Sequence, residues 1–306
     1  MTTVKKYLSL VKFSHTIFAM PFAFIGFFLA IPYASVSGNN LLEVQGTMAG
    51  VLNPMLLQKG LLVLVCMVTA RNAAMAFNRY LDRHFDALNP RTAIREIPAG
   101  ILSAESALRF VIGNSIVFVI ATWFINPLCF YLSFVALFVV LFYSYTKRFT
   151  ALCHLVLGVG LSLAPIGAYL AVTGSFAVLP LLFSFAVIFW VSGFDIIYAL
   201  QDVEFDQSHQ LNSIPAALGK ERALWVARLL HVCSATCVTI AGVYGGFHWL
   251  YFVGYGVFVG MLINQHRLVK PHDLSKVNLA FMTSNGIASV VFAIFVIAAL
   301  FMQYGW

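Results

Sequence analysis

Long apolar runs recur along the chain between short polar stretches, and no run alternates apolar and polar residues with a period of two. Runs of about 20 residues are long enough to cross a hydrocarbon core of about 30 Å as helices. The pattern predicts nine transmembrane helices, over 15–35, 58–82, 107–125, 128–146, 151–173, 176–201, 222–244, 246–266 and 278–303. The absence of the two-residue period argues against a transmembrane barrel and leaves a helical bundle. The fold class is therefore all-α, with one transmembrane domain expected over 1–306. Residues 1–12 read as an interfacial segment leading into the first helix. That helix lacks a small-residue cleavage site, so a signal peptide is not expected.

Composition agrees with the pattern. The chain is 61% hydrophobic and 9% charged, where soluble proteins are about 25% charged, and its mean hydropathy is +0.91. Cys66, Cys129, Cys153, Cys233 and Cys237 all fall inside apolar runs without a CxxC pair, which suits small core hydrophobes rather than a disulfide or zinc framework.

Charge assigns the two sides. Lys5, Lys6, Lys12, Arg79, Arg83, Arg91, Arg95, Lys147, Arg148, Lys220, Arg222, Arg267, Lys270 and Lys276 all fall on one face of a nine-helix topology. The opposite connections hold Glu43 and border Lys59. Positive-inside sorting predicts a cytoplasmic N-terminus and a C-terminus across the membrane, as in a bacterial plasma membrane or its equivalent. The net charge of +7 is then mainly a topological signal and an attraction to anionic headgroups of the bilayer, so no nucleic-acid partner is expected. The acids Asp82, Asp86, Glu96, Asp202, Glu204 and Asp206 share the cytoplasmic face, and sorting gives them no reason to be there.

These acids are ordered. In NRYLDRHFD, helical spacing puts Asn78, Asp82 and Asp86 on one stripe, with Arg71 seven residues earlier. FDIIYALQDVEFD does the same with Asp195, Tyr198, Asp202 and Asp206. Asp82 and Asp202, Asp86 and Asp206, and Lys147 and Arg267 are each 120 positions apart, and IPAG at 97–100 is echoed by IPAALG at 214–219. Two copies of a four-helix unit, helices 2–5 and 6–9, are expected around a central cavity opening to the cytoplasmic face. Four like charges facing each other would repel, so a multivalent cation is their natural partner. All-oxygen ligation suits Mg2+, which takes one or two carboxylates together with substrate phosphate oxygens. Arg91, Arg95 and Lys147 would meet the remaining phosphate charge, giving a Mg2+-diphosphate site.

Plainer readings exist for each residue. One DxxxD is commonly a solvated helix end paired with arginines, and Lys147 alone would serve as a positive-inside anchor. Arg71 and Asp195 lie deep in apolar runs, where ionisable groups are costly and usually line a cavity. His15, His84 and His209 lack metal-ligand spacing, and His154, His231 and His248 carry no motif.

The paired segments resemble the UbiA superfamily of intramembrane prenyltransferases, whose signatures are NxxxDxxxD and DxxYxxxDxxxD. KFSHTIFAMPFA, NPRT, IPAG, YSYTKRFT and SIPAALG extend the resemblance over most of the chain. It implies a nine-helix bundle that transfers the allyl group of a polyprenyl diphosphate to an aromatic acid acceptor, with Mg2+ as cofactor. Asp82, Asp86, Asp202 and Asp206 look like the metal ligands, and Arg91, Lys147 and Tyr143 like diphosphate contacts. Asp195 and Tyr198 look like deeper catalytic members, and Arg71 and Asn78 like acceptor-side residues. Lys12 stands where many members have arginine. The acceptors implied are 4-hydroxybenzoate or a dihydroxynaphthoate, in ubiquinone or menaquinone synthesis; HTIFAMPFA is similar to the naphthoate branch of the futalosine route. Haem, glycerol-lipid and chlorophyll-type acceptors remain alternatives within the superfamily. From other classes, an ion-coupled transporter would also carry buried charges and a repeat, though nearer the midplane. A lipid phosphotransferase would use carboxylates at the membrane surface.

Overall fold

The computed structural model describes residues 3–11, 18–34 and 53–305, and all its named elements are helices. A short α1 (Thr3–Leu10) precedes α2 (Met20–Ala30), which runs into a single tight turn at Ile31–Tyr33. The first motif lies on α3 (Pro54–Leu81) and the short α4 (Arg83–Leu88). Then come α5 (Ala104–Trp123), α6 (Pro127–Thr146), α7 (Cys153–Thr173) and α8 (Val178–Ala199). The second motif continues through a turn at Leu200–Asp202 into α9 (Val203–Ser208) and α10 (Ile214–Leu218). The chain ends in α11 (Lys220–Tyr244), α12 (Trp249–Leu268), α13 (Val277–Leu279) and α14 (Asn285–Tyr304), the last two joined by a π turn at Ala280–Ser284.

Helix boundaries follow local chemistry. Asn53 and Asn126 each cap a helix by accepting a backbone N–H two or three residues on, at 2.9 and 2.8 Å, and Pro54 and Pro127 fill the first helical position. Proline is tolerated there because its missing donor would have had no intrahelical partner. The Asn53 cap starts α3 at Pro54, four residues before the predicted span begins. At the far end of α7, Gly174 takes the left-handed conformation (φ 67°) that closes a helix C-terminus.

Seven helices among the described residues are long and apolar enough to cross a membrane. The chain is thus an integral membrane protein, and α2 and α12 pack within the same bundle. Tyr131, Phe138, Trp225 and Trp249 are each more than 60% exposed, a surface that suits lipid contact. Inside, Phe22, Phe183, Trp190, Tyr251, Phe258 and Phe292 are fully buried and join α2, α8, α12 and α14. Small residues permit close backbone approach where helices cross. A Cβ at Gly26 of α2 would lie 2.0 Å from the Pro165 carbonyl oxygen of α7, and one at Gly158 of α7 would lie 2.6 Å from the Ile188 carbonyl oxygen of α8. The first crossing holds α2 against α7, and the second holds α7 against α8 one turn from His154.

Candidate functional site

Both motif helices break at an aspartate. Asp82 (φ −89°, ψ 4°) ends α3, and Asp202 (φ −107°, ψ 6°) stands between α8 and α9. Both sit in the sparsely populated bridge region where active-site residues recur. No glycine or proline marks either break. At the first, helical hydrogen bonding continues: the Asp82 N–H donates to the Asn78 carbonyl at 2.9 Å and the Asp86 N–H to the Asp82 carbonyl at 2.8 Å. Asn78, Asp82 and Asp86 therefore keep the common stripe that their spacing predicts.

Each of the four aspartates meets one cation. Arg91 grips Asp202 with two bonds, Nε to Oδ1 at 3.0 Å and Nη2 to Oδ2 at 2.6 Å. Arg95 Nη1 donates to Asp86 Oδ1 at 2.6 Å, Arg148 Nη2 donates to Asp82 Oδ1 at 3.1 Å, and Lys147 Nζ lies 2.7 Å from Asp206 Oδ1. The repulsion expected among uncompensated carboxylates is therefore met by ion pairs. Neutral donors complete the shells: Asn78 to Asp82 at 3.0 Å, Asn89 to Asp202 at 3.2 Å and Ser213 to Asp206 at 2.9 Å.

These pairs tie the two motifs together. Arg91 and Asn89 follow the first motif and bind Asp202 of the second. Lys147 and Arg148 are consecutive at the end of α6, yet Lys147 reaches Asp206 of the second motif and Arg148 reaches Asp82 of the first. The Lys147 carbonyl also accepts from the Asn212 N–H at 2.8 Å. Burial pushes the Asp82 carboxyl above the usual carboxylate range, more than Arg148 and Lys147 pull it down. For Lys147, burial acts to lower the ammonium, but the Asp206 carboxylate outweighs it and holds the group above its ordinary value. Arg91 is likewise raised, burial being overcome by Asp202.

Beneath the ion pairs lies a cavity of about 410 Å³, walled by α3, α5, α6, α7 and α8 and almost entirely apolar. The charged residues lining it, among those described, are Arg71 and Asp195; Tyr143 adds a hydroxyl. Arg71 Nη1 donates to the Val11 carbonyl at 2.9 Å, so the segment after α1 helps place it. Asp195 Oδ2 lies 2.6 Å from His154 Nδ1. Tyr198 accepts from Arg91 Nη1 at 3.3 Å and packs its ring 4.4 Å from that of Phe281, which the π turn carries to the cavity wall. Lys12 and His15 lie outside the described residues.

The donor set suits magnesium. No three carboxylate, imidazole or thiol groups among the described residues converge as a self-sufficient metal cage. Magnesium does not require one, since phosphate oxygens and water supply most of its ligands. Asp86 Oδ2 is buried without a hydrogen-bond partner, an oxygen that a cation could satisfy.

Several of these contacts escape the sequence reading. Arg148 reads as a topological anchor, Asn89 and Ser213 as loop residues and His154 as a residue without a motif, yet each binds a motif aspartate. Asn89, Arg148 and Ser213 do fall in the NPRT, YSYTKRFT and SIPAALG segments, whereas His154 has no local signal. Asn78, an acceptor-side candidate, donates to Asp82.

Comparison with known proteins agrees with this geometry. The model of the UbiA prenyltransferase family matches residues 44–290. A 4-hydroxybenzoate octaprenyltransferase of Marinomonas sp. is 33% identical over 233 residues, 76% of this chain and 81% of the relative. One from Tolumonas auensis is 31% identical over 223 residues, 73% of this chain and 78% of the relative. Among solved structures, a UbiA homolog from Aeropyrum pernix K1 matches with a TM-score of 0.75 at 28% identity, covering 94% of this chain and 98% of that one. A UbiA homolog from Archaeoglobus fulgidus bound to DMAPP and Mg2+ shares the fold with a TM-score of 0.71 at 21% identity, covering 96% and 99%. With the family model spanning most of its length, the chain belongs to the UbiA prenyltransferase family.

Proposed function

We propose that this enzyme transfers a polyprenyl group from polyprenyl diphosphate to a hydroxylated aromatic acid, with Mg2+ as cofactor, in respiratory quinone synthesis. The observation that carries the reading is the stacking of two environments: four aspartates interleaved with four cations, directly above an apolar cavity. A polyprenyl diphosphate has the same two parts. Asp82, Asp86, Asp202 and Asp206 would hold magnesium, which supplies neutralisation of the diphosphate charge when bound. Arg91, Arg95, Lys147 and Arg148 then exchange carboxylate for phosphate oxygens, in a site where fixed charges act most strongly on the charge that develops as the allylic C–O bond breaks. The electron pair of that bond leaves with the diphosphate. The allylic carbon, shielded from water by the apolar wall, is attacked by the ring carbon beside the acceptor hydroxyl. Asp195 is the carboxylate on that wall, and it would receive the ring proton. Arg71 and Tyr143 line the same cavity and suit the acceptor carboxylate and the diphosphate end respectively.

Relatives named 4-hydroxybenzoate octaprenyltransferase favour 4-hydroxybenzoate as acceptor; a dihydroxynaphthoate offers the same carboxylate and hydroxyl. The matched breaks at Asp82 and Asp202 support two repeated four-helix units, with α2 and α12 completing nine crossings of one domain. Clustering of Lys and Arg beside the site supports its opening to the cytoplasm, with the C-terminus on the other side. Asp202→Asn tests the reading: Mg2+-dependent pyrophosphate release from a polyprenyl diphosphate is expected to be abolished. Near-normal release by a folded variant would refute the metal assignment.

A further inference from the structure

His154 is buried on α7, with its side chain 4% exposed, and both ring nitrogens are engaged. Its Nε2 accepts the backbone N–H of Ile214 at 3.4 Å. A nitrogen that accepts carries no proton, so the proton of the ring is on Nδ1, which donates to Asp195 Oδ2 at 2.6 Å. A carboxylate oxygen only accepts, so Nδ1 serves Asp195 as a fixed donor. The single Ser192 hydroxyl of α8 is shared between the Ile188 carbonyl at 2.6 Å and the His154 carbonyl at 3.1 Å, beside the close crossing at Gly158. Asp195 itself is 25% exposed and lines the cavity, so one oxygen is tied while the carboxylate still faces the cavity.

We propose that His154 is the positioning residue of the reaction, fixing the Asp195 carboxylate toward the acceptor; this rests on the reading of Asp195 as the group that receives the ring proton. A carboxylate on an apolar wall can rotate away or take up a proton from solvent. An N–H donor at 2.6 Å locks its rotamer. His154 does not relay the proton, because Nδ1 already carries one and Nε2 is occupied by Ile214. The support also reaches the diphosphate end: Ile214 follows Ser213, whose hydroxyl donates to Asp206 Oδ2 at 2.9 Å. One loop therefore braces a carboxylate at each end of the site.

Three variants of the full-length protein separate this role from simple packing. In His154→Asn the amide nitrogen takes the place of Nδ1 and keeps the bond to Asp195. In His154→Gln the amide reaches the place of Nε2 and keeps only the bond to Ile214. His154→Ala keeps neither. Losing a partner that orients a functional ligand typically costs about 10- to 100-fold in activity. The expected result is that kcat falls by about that factor in the Gln and Ala variants, stays within about fivefold of wild type in the Asn variant, and leaves the KM for polyprenyl diphosphate nearly unchanged. A Gln variant as active as the Asn variant, or an Ala variant as active as wild type, would overturn the proposal. Nitrogen-15 NMR of histidine-labelled protein, with the His154→Asn variant identifying the signal, gives a readout independent of turnover. A ring protonated at Nδ1 supports the bond to Asp195 and one protonated at Nε2 overturns it. With the Nδ1 form seen, failure of the wild type to prenylate any aromatic acid would count against the assigned acceptor chemistry alone.

Discussion

Arg91→Lys keeps the positive charge and removes the fork. The guanidinium makes three bonds, two to the Asp202 carboxylate at 3.0 and 2.6 Å and one to the Tyr198 hydroxyl at 3.3 Å. A lysine ammonium can hold one carboxylate oxygen, but cannot present two parallel N–H groups to a carboxylate or to a diphosphate. A hydrogen bond to a charged group contributes about 1.5–3 kcal/mol. The Arg91 side chain is 31% exposed, so the low end applies: losing one such bond is worth about 1.5 kcal/mol, or roughly tenfold. In steady-state assays of pyrophosphate release, Arg91→Lys is therefore expected to lower kcat/KM for the prenyl donor about 10-fold, with about another threefold if the Tyr198 contact is also lost. The KM for the aromatic acid should change little, because Arg91 lies at the ion-pair end rather than along the cavity wall. If the folded variant turned over the donor within about twofold of wild type, the fork would be irrelevant to diphosphate recognition and the reasoning would fail.

Three other outcomes follow from the same geometry. Burial raises the Asp82 carboxyl, so folding favours its protonated form and the ionised group costs stability above the unfolded pKa of about 3.9. Asp82→Asn, which resembles the protonated acid, should melt no lower than wild type at pH 7, with any gain shrinking as the pH falls toward about 4; a clearly lower melting temperature at pH 7 would contradict the sign. Arg71→Ala should raise the KM for the aromatic acid far more than that for the prenyl donor in two-substrate kinetics, and an equal effect on both would remove Arg71 from the acceptor. Gly167 lines the cavity, and a Cβ there would meet nothing within 4 Å. Gly167→Leu should therefore fold normally yet disfavour long prenyl donors against short ones, whereas an unchanged chain-length profile would place the tail elsewhere.

The all-helical class, the seven long apolar helices and the stripe in the first motif were legible in the sequence because they depend on local pattern: apolar length and four-residue spacing. Asn-Pro caps set the starts of α3 and α6, one to four residues before the spans that apolar length predicts. What the pattern could not show is which charge meets which. Lys147 and Arg148 look equivalent on paper, yet successive residues at a helix end point about 100° apart, and here that divergence sends them to different motifs. His154 meets Asp195 across a helix crossing made close by Gly158, a contact between residues 41 positions apart that leaves no local trace. The breaks at Asp82 and Asp202 contain neither glycine nor proline, so propensity gives no sign of them.

The most direct test of the account is a product assay with the purified protein in lipid bilayers. It would supply a radiolabelled polyprenyl diphosphate with and without Mg2+ and, as acceptor, either 4-hydroxybenzoate or a dihydroxynaphthoate. A prenylated aromatic acid is expected to form only with Mg2+ and in step with pyrophosphate release. Pyrophosphate release without any prenylated aromatic product, or product formation indifferent to Mg2+, would contradict it.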